Sequence, residues 1–181
     1  MKIFRTEIDG VFIIEPTVFE DERGYFFESY NKNKLEEQGI KYNFIQDNQS
    51  KSRFGTIRGI HFQKGEFSQA KLVRVLEGKV LDVAVDLRKE SPTFGKYVAV
   101  ELSAENHRQL MIPRGFGHGF SVLSDTAVFA YKCDNVYNKN AEVGIRYDDK
   151  TLNIDWKIKP EEAILSEKDK HHPSLEEIEC F

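Results

Sequence analysis

Apolar residues in this chain fall in short runs broken by turn residues. Val11-Phe-Ile-Ile14 and Tyr25-Phe-Phe27 lie next to Asp9-Gly10 and Asp21-Glu-Arg-Gly24, the chemistry of strands and reverse turns. Asn31 to Gly39 breaks the pattern with one short helix, Asn31 as N-cap and Gly39 as the left-handed stop. Strand patterning returns at Leu72-Val-Arg-Val-Leu76 and Val80-Leu-Asp-Val-Ala-Val-Asp-Leu87, which reads as a hairpin around Glu77-Gly78. Tyr97 to Leu102, Arg108 to Ile112, Gly119 to Leu123 and Ala127 to Cys133 continue at about ten-residue spacing, the rhythm of a sandwich or barrel. After Trp156 the composition turns charged, and Ser174-Leu-Glu-Glu-Ile predicts a last helical turn capped by Ser174. The expectation is a single, mainly β domain over residues 1–181 with a few short helices and an appendage from about 157 to 181.

Counting registers from the turns gives a first view of shared faces. A two-residue turn at Ser124-Asp125 sets Phe120 opposite Phe129 and His118 opposite Tyr131. The same count around Glu77-Gly78 sets Lys71 opposite Ala84 and diagonal to Asp82. Alternation puts His61 and Gln63 on one side of their strand and Phe62 on the other. A polar set of His61, Lys71, Asp82, His118 and Tyr131 among Val, Ala and Phe exceeds what packing needs, because buried polar groups cost free energy unless partnered. Asp82 reads as structural.

Composition narrows the function. At 181 residues, 40% apolar and 12% aromatic, the chain can bury a sizeable core. Its 26 basic and 30 acidic residues give a net charge of −4, no general attraction to nucleic acid or an anionic membrane, so any basic site must be local. The charged N-terminus lacks a leader-like apolar region and no later run approaches a membrane span, which predicts a cytoplasmic protein. Cys133 and Cys180 fit no metal spacing and are expected as reduced thiols.

Gly55-Thr-Ile-Arg-Gly-Ile-His61-Phe-Gln63 and Pro113-Arg-Gly115-Phe-Gly-His118 resemble the two signature motifs of cupin proteins, with Gln63 where the first motif has its second histidine. A stable transition-metal site wants three or four converging imidazole or carboxylate ligands, and a Gln amide replaces imidazole poorly. The resemblance therefore implies a cupin-type double-stranded β-helix or jelly-roll barrel holding His61 as a free base, with no metal and no cofactor.

Longer blocks narrow this further. Arg58-Gly-Ile-His-Phe-Gln63, Gln69-Ala-Lys-Leu-Val-Arg-Val75, Leu81 to Arg88, Ser91-Pro-Thr-Phe-Gly95, Ile112 to Phe120, Tyr131-Lys-Cys133, Asp155-Trp156 and Leu165-Ser-Glu-Lys-Asp169 resemble the dTDP-4-dehydrorhamnose 3,5-epimerase family in order over nearly the whole chain. The departures are Ile60 for Leu, Gly117 for Ala, and Lys64-Gly-Glu-Phe67 in a loop that often carries Pro. The resemblance implies inversion of two stereocentres beside the keto group of a nucleotide-linked 4-keto-6-deoxyglucose, on the way to dTDP-L-rhamnose. By the same resemblance His61 is the base, Asp169 its orienting carboxylate, Tyr131 the acid on the far face and Lys71 the charge near the enolate oxygen. Arg23, Glu28, Gln46, Asp47, Asn48, Arg58, His118, Glu142 and Lys168, with Lys71, hold the substrate, and Tyr137 stacks on thymine. Singly, Asp21 to Gly24 reads as a charged turn, Gln46 to Ser50 as a polar loop, and Ser166 to Asp169 as a capping box; the ordered match reverses these readings for the set.

Family members are dimers. Exposed edges of the N-terminal strands supply a physical reason, so residues 1–30 are expected to be exchanged between subunits, with Arg23 and Glu28 serving the neighbour. The alternatives are a C5-only or C3-only epimerase, a 3,4-ketoisomerase, a non-catalytic sugar-binding cupin and a metal-dependent cupin. Tyr131 favours the epimerase.

Overall fold

The computed structural model describes residues 1–181, folded as two antiparallel sheets packed face to face in a jelly-roll barrel. In chain order the elements are β1 (Lys2–Arg5), β2 (Phe12–Glu15), β3 (Phe19–Asp21), β4 (Gly24–Phe26), α1 (Lys32–Glu37), β5 (Gln46–Arg53), β6 (Ile57–Gln63), β7 (Lys71–Glu77), β8 (Lys79–Asp86), β9 (Tyr97–Ser103), β10 (Gln109–Ile112), β11 (Phe116–Val122), β12 (Thr126–Cys133) and β13 (Glu142–Gly144). One sheet runs β1-β2-β10-β7-β12-β5 and the other β13-β6-β11-β8-β9, while β3 and β4 form a separate hairpin.

The consecutive apolar residues of β8 on either side of Asp82 follow from burial on both faces. Val80 and Ala84 join the core between the sheets, together with Val73, Val75, Phe120 and Phe129. Leu81, Val83 and Val85 face the other way, onto a second cluster with Ile145, Leu152, Trp156 and Leu175. The segment after β13 is therefore a cover for the outer face of the five-stranded sheet. Its last residue, Phe181, lies with its ring centroid 5.4 Å from that of Phe62. Full burial of a side chain such as Leu152 stabilises by roughly 1.5–3 kcal/mol, enough to fix that cover.

Helix α1 begins where the sequence predicts: the Asn31 side chain accepts a hydrogen bond from the Lys34 N–H at 3.2 Å, and Gly39 takes a positive φ of 83° just past the end. Leu35 packs with Ile14, Ile40, Leu72 and Met111, covering the outside of the six-stranded sheet. Ser174 caps a single 3₁₀ turn, Leu175–Glu177, in a capping box with Glu177.

Both predicted hairpins are corrected. β7 pairs with β10 and β12, β8 with β9 and β11, and β11 with β6 and β8. The links at Glu77-Gly78 and Ser124-Asp125 thus arch from one sheet to the other, and Lys71–Ala84 and His118–Tyr131 are not ladder partners. A short turn between two alternating strands fits an arch as well as a hairpin. The inward faces survive the change, now across the sandwich: the Phe120 and Phe129 rings stack at 4.3 Å, and His118 lies 5.9 Å from Phe129. No helix is long and apolar enough to cross a membrane, and both cysteines are free.

Candidate active site

A cavity of about 600 Å³ opens between the sheets. The five-stranded sheet contributes Arg58 and His61 from β6, with His118 and Phe120 from β11; the six-stranded sheet contributes Lys71 from β7, with Phe129 and Tyr131 from β12. Alternation alone would not put residues 58 and 61 on one face. The β6–β11 register shifts between His118 and Phe120, and that irregularity turns both side chains inward.

Two histidine–carboxylate pairs stand in this cavity. His61 Nε2 lies 2.5 Å from Asp169 Oδ1, with the His61 side chain 29% exposed. The Asp169 N–H donates to Ser166 Oγ at 3.1 Å, so Ser166 does cap the turn, but the carboxylate that a capping box would send back to the backbone goes to His61 instead. Burial pushes the Asp169 carboxyl up; its bonds to His61 and Ser166 outweigh this and hold it below the ordinary aspartate value. Deeper in, His118 Nε2 lies 3.0 Å from Asp82 Oδ2 with both side chains buried. Burial lowers the His118 pKa against the pull of Asp82, which keeps this ring neutral at pH 7.

Lys71 and Tyr131 face each other, the ammonium 5.9 Å from the ring centroid. Burial pulls the Lys71 ammonium below the usual lysine range, against attraction from Cys133, Asp82 and Glu142. Burial likewise raises the Tyr131 phenol, with Cys133 adding and Arg58 opposing, so its proton is retained at neutral pH.

A smaller lobe shares His61, Lys71, Tyr131 and Glu142 with the cavity and adds Gln46, Asn48 and Tyr137. The Tyr137 hydroxyl donates to Glu142 at 2.7 Å and its ring is exposed, while Lys168 pairs with the same carboxylate. Burial would raise Glu142; those two partners hold it below the ordinary value. Gln63, standing where a second cupin histidine would be, is buried and accepts the Asn138 N–H at 2.8 Å, pinning the loop that carries Tyr137.

Three sequence-predicted residues lie elsewhere in the protomer. Asp47, on β5, points to the opposite face from Gln46 and Asn48 and pairs with Lys132 at 2.9 Å. Arg23 is tied to Asp21 in the β3–β4 turn, and Glu28 to Lys34 at 2.9 Å beside α1. Neither reaches the cavity of its own chain. Residues the sequence did not flag are Ser52, which accepts from Arg58 Nε at 3.1 Å, Arg53 on the rim, and His172. The His172 ring centroid lies 5.4 Å from that of His61, and its Nε2 is 3.3 Å from Asp169 Oδ1. Burial and the neighbouring His61 lower its pKa, against Asp169. No periodicity marks this residue, because the segment is irregular.

The arrangement offers a base and an acid from opposing walls, cations at the rim (Arg53, Arg58, Lys168) and an aromatic at the mouth. A family model described as dTDP-4-dehydrorhamnose 3,5-epimerase matches residues 5–177. The enzyme of that name from Shigella flexneri is 55% identical over 170 residues, 93% of each chain. The crystal structure of dTDP-4-dehydrorhamnose 3,5-epimerase from Elizabethkingia anophelis superposes with a TM-score of 0.94 at 58% identity, covering 97% of both chains. That of dTDP-6-deoxy-D-glucose-3,5-epimerase from Legionella pneumophila, in complex with dTDP-4-keto-L-rhamnose, also gives 0.94, at 49% identity over 98% of this chain and 94% of the other.

Proposed function

Because this chain belongs to the dTDP-4-dehydrorhamnose 3,5-epimerase family, we infer that it is an isomerase that inverts C3 and C5 of dTDP-4-keto-6-deoxyglucose through enolate intermediates, in dTDP-L-rhamnose formation. The observation that carries the mechanism is the placement of His61 on one sheet and Tyr131 on the other, facing one cavity.

A proton alpha to a ketone yields to a base of modest strength when the enolate is stabilised. Asp169, as an acceptor, orients His61 with its proton on Nε2 and leaves the Nδ1 lone pair free to take a carbon-bound proton. The imidazolium so formed gains from the carboxylate, and the electron pair left on carbon moves onto the C4 oxygen. Lys71 supplies positive charge there; His118, neutral and donating to Asp82, presents its other ring nitrogen as an acceptor for a sugar hydroxyl. Tyr131 gives its proton to the opposite face of the carbon and regains one from solvent, to which His61 releases the proton it took. A phenol of pKa near 10 or above is acid enough, since its acceptor is a more basic carbanion. Repetition at the second carbon completes the double inversion. Arg58 and Lys168 receive the pyrophosphate, for which guanidinium and ammonium are the natural partners, Tyr137 stacks on the base, and Gln46, Asn48 and Glu142 line the nucleotide side.

The working unit is a homodimer in the cytoplasm. Phe19, Tyr25 and Phe26 of the β3–β4 hairpin are 63%, 60% and 71% exposed, an apolar arm that meets its own protomer where the Tyr25 ring lies 4.7 Å from His107. Its seating on a second copy carries Arg23, and Glu28 close behind it, to the neighbour's cavity, which accounts for their distance from their own. Equilibrium sedimentation at micromolar concentration is expected to give a dimer; a monomer with full activity would contradict this arrangement.

Proton NMR of the reaction with dTDP-4-keto-6-deoxyglucose in deuterated water tests the chemistry. The expected product carries deuterium at both C3 and C5. Deuterium at one carbon only identifies a mono-epimerase, and none at either removes the enolate mechanism.

A further inference from the structure

His172 takes no part in the chemistry above, yet its ring is held with unusual definition. Its side chain is 10% exposed, and its Nε2 is buried with no hydrogen-bond partner. The atom lies 3.3 Å from Asp169 Oδ1, but not in hydrogen-bonding geometry. Two features fix the ring there. Pro173 follows it and holds residue 172 extended, with φ −67° and ψ 146°. Gly144, opposite His61 on the β13–β6 ladder, leaves the room: a Cβ at that position would come within 2.3 Å of the His172 ring.

The result is two imidazoles converging on one carboxylate. One ligand atom each from His61, Asp169 and His172 lies within 4.8 Å of the others. Tetrahedral ligands at the usual Zn–N and Zn–O lengths sit roughly 3.3 Å apart, so modest rotation of the His61 ring opens the space an ion needs. Two histidines and one carboxylate suit zinc-class divalent ions, with a fourth position left to water from the cavity. This set differs from that of the cupin motif positions, where Gln63 is committed to Asn138.

We propose that His61, Asp169 and His172 form a reversible, inhibitory binding site for a divalent transition metal ion of the zinc class. Coordination takes the Nε2 of His61 and the Asp169 oxygen out of their mutual hydrogen bond, shifts the imidazole proton from Nε2 to Nδ1, and so blocks the nitrogen that must accept a proton from substrate. No redox change is involved. The binding claim stands on the geometry alone; the inhibitory claim rests on the role given to His61 above.

The test uses the full chain stripped with EDTA, with zinc chloride as probe. Calorimetry is expected to find one zinc per chain, weakened by about tenfold or more in His172→Ala and in the bulkier His172→Gln. The surface variant His171→Ala binds as the unaltered chain does. X-ray absorption at the zinc edge of the unaltered protein, which needs no variant to fold, should show two imidazoles and one carboxylate. Each variant's epimerase rate in zinc is referenced to its own rate in EDTA, and the His172 variants should resist zinc at concentrations that stop the unaltered enzyme, with EDTA restoring the rate. No zinc bound to the unaltered chain, equal binding by the His172 variants, or fewer than two imidazoles overturns the site. Binding at the three residues without inhibition leaves the site standing and overturns the role of His61.

Discussion

The two histidine–carboxylate pairs are chemically alike, yet their surroundings separate them. His61–Asp169 sits where the cavity opens, with an imidazole 29% exposed and a carboxylate on an irregular segment capped by Ser166. His118–Asp82 sits between two strands of one sheet, both side chains buried, with Asp82 Oδ1 unpartnered. Burial costs a charged form more than a neutral one, so the inner ring stays neutral, while the outer ring reaches the open part of the cavity. Under the mechanism proposed above, a pair of the same two residue types serves as a proton carrier at the mouth and as a fixed polar wall at depth.

Removing the carboxylate of the outer pair should have the largest effect. Asp169→Asn keeps the volume but not the charge that favours the imidazolium, and kcat should fall by about 10²–10³-fold with KM nearly unchanged, as read from steady-state kinetics. A loss confined to KM would move Asp169 from proton chemistry to binding. Tyr131→Phe removes the acid from the facing wall. Its kcat for double inversion should fall by about 10²-fold, while NMR in deuterated water still shows deuterium entering unreacted substrate, because His61 continues to remove the proton, exchanges it with solvent and returns deuterium to the same face. Disappearance of that exchange would make Tyr131 part of abstraction.

A third carboxylate, outside both pairs, calibrates what structure alone contributes. Asp86 is fully buried, accepts from Arg88, Ser91 and Thr93, and although burial pushes it up these bonds hold it at about 2. Since that folded value lies below the unfolded value near 4, the stabilisation is complete above about pH 4 and is lost as pH falls toward 2. Asp86→Asn should lower stability in urea by about 2 kcal/mol at pH 7, with the deficit shrinking below pH 4. A deficit that persists at pH 2 would assign the effect to geometry instead of charge.

How much of this the sequence discloses depends on the kind of signal each residue leaves. β12 alternates because one face lies against the core and β8 is a near-continuous apolar run because both of its faces are covered, so both strands were legible. β5 reads as a polar loop although it is an eight-residue strand, because one face lines a polar cavity and the other faces solvent, leaving no apolar period. The same alternation is what turns Asp47 away from the substrate side. The arches at Gly78 and Ser124 looked like hairpins because strand length and turn chemistry do not say which sheet the next strand joins. Arg58 and His61 share a wall only through a register shift that no spacing rule contains. His172 was invisible for a simpler reason: it sits in irregular chain, and its meaning comes from Gly144, distant in sequence.

The division of labour between the two pairs is tested most directly by single-turnover deuterium wash-in at saturating dTDP-4-keto-6-deoxyglucose, with His61→Asn and His118→Gln compared side by side. Wash-in at C3 and C5 should vanish for His61→Asn, whose affinity for dTDP stays close to that of the unaltered enzyme. For His118→Gln it should persist within about tenfold of the unaltered rate, with KM raised by a similar factor through the lost polar contact. Full exchange in His61→Asn, or its loss in His118→Gln alone, would reverse the roles of the two histidines and contradict the account.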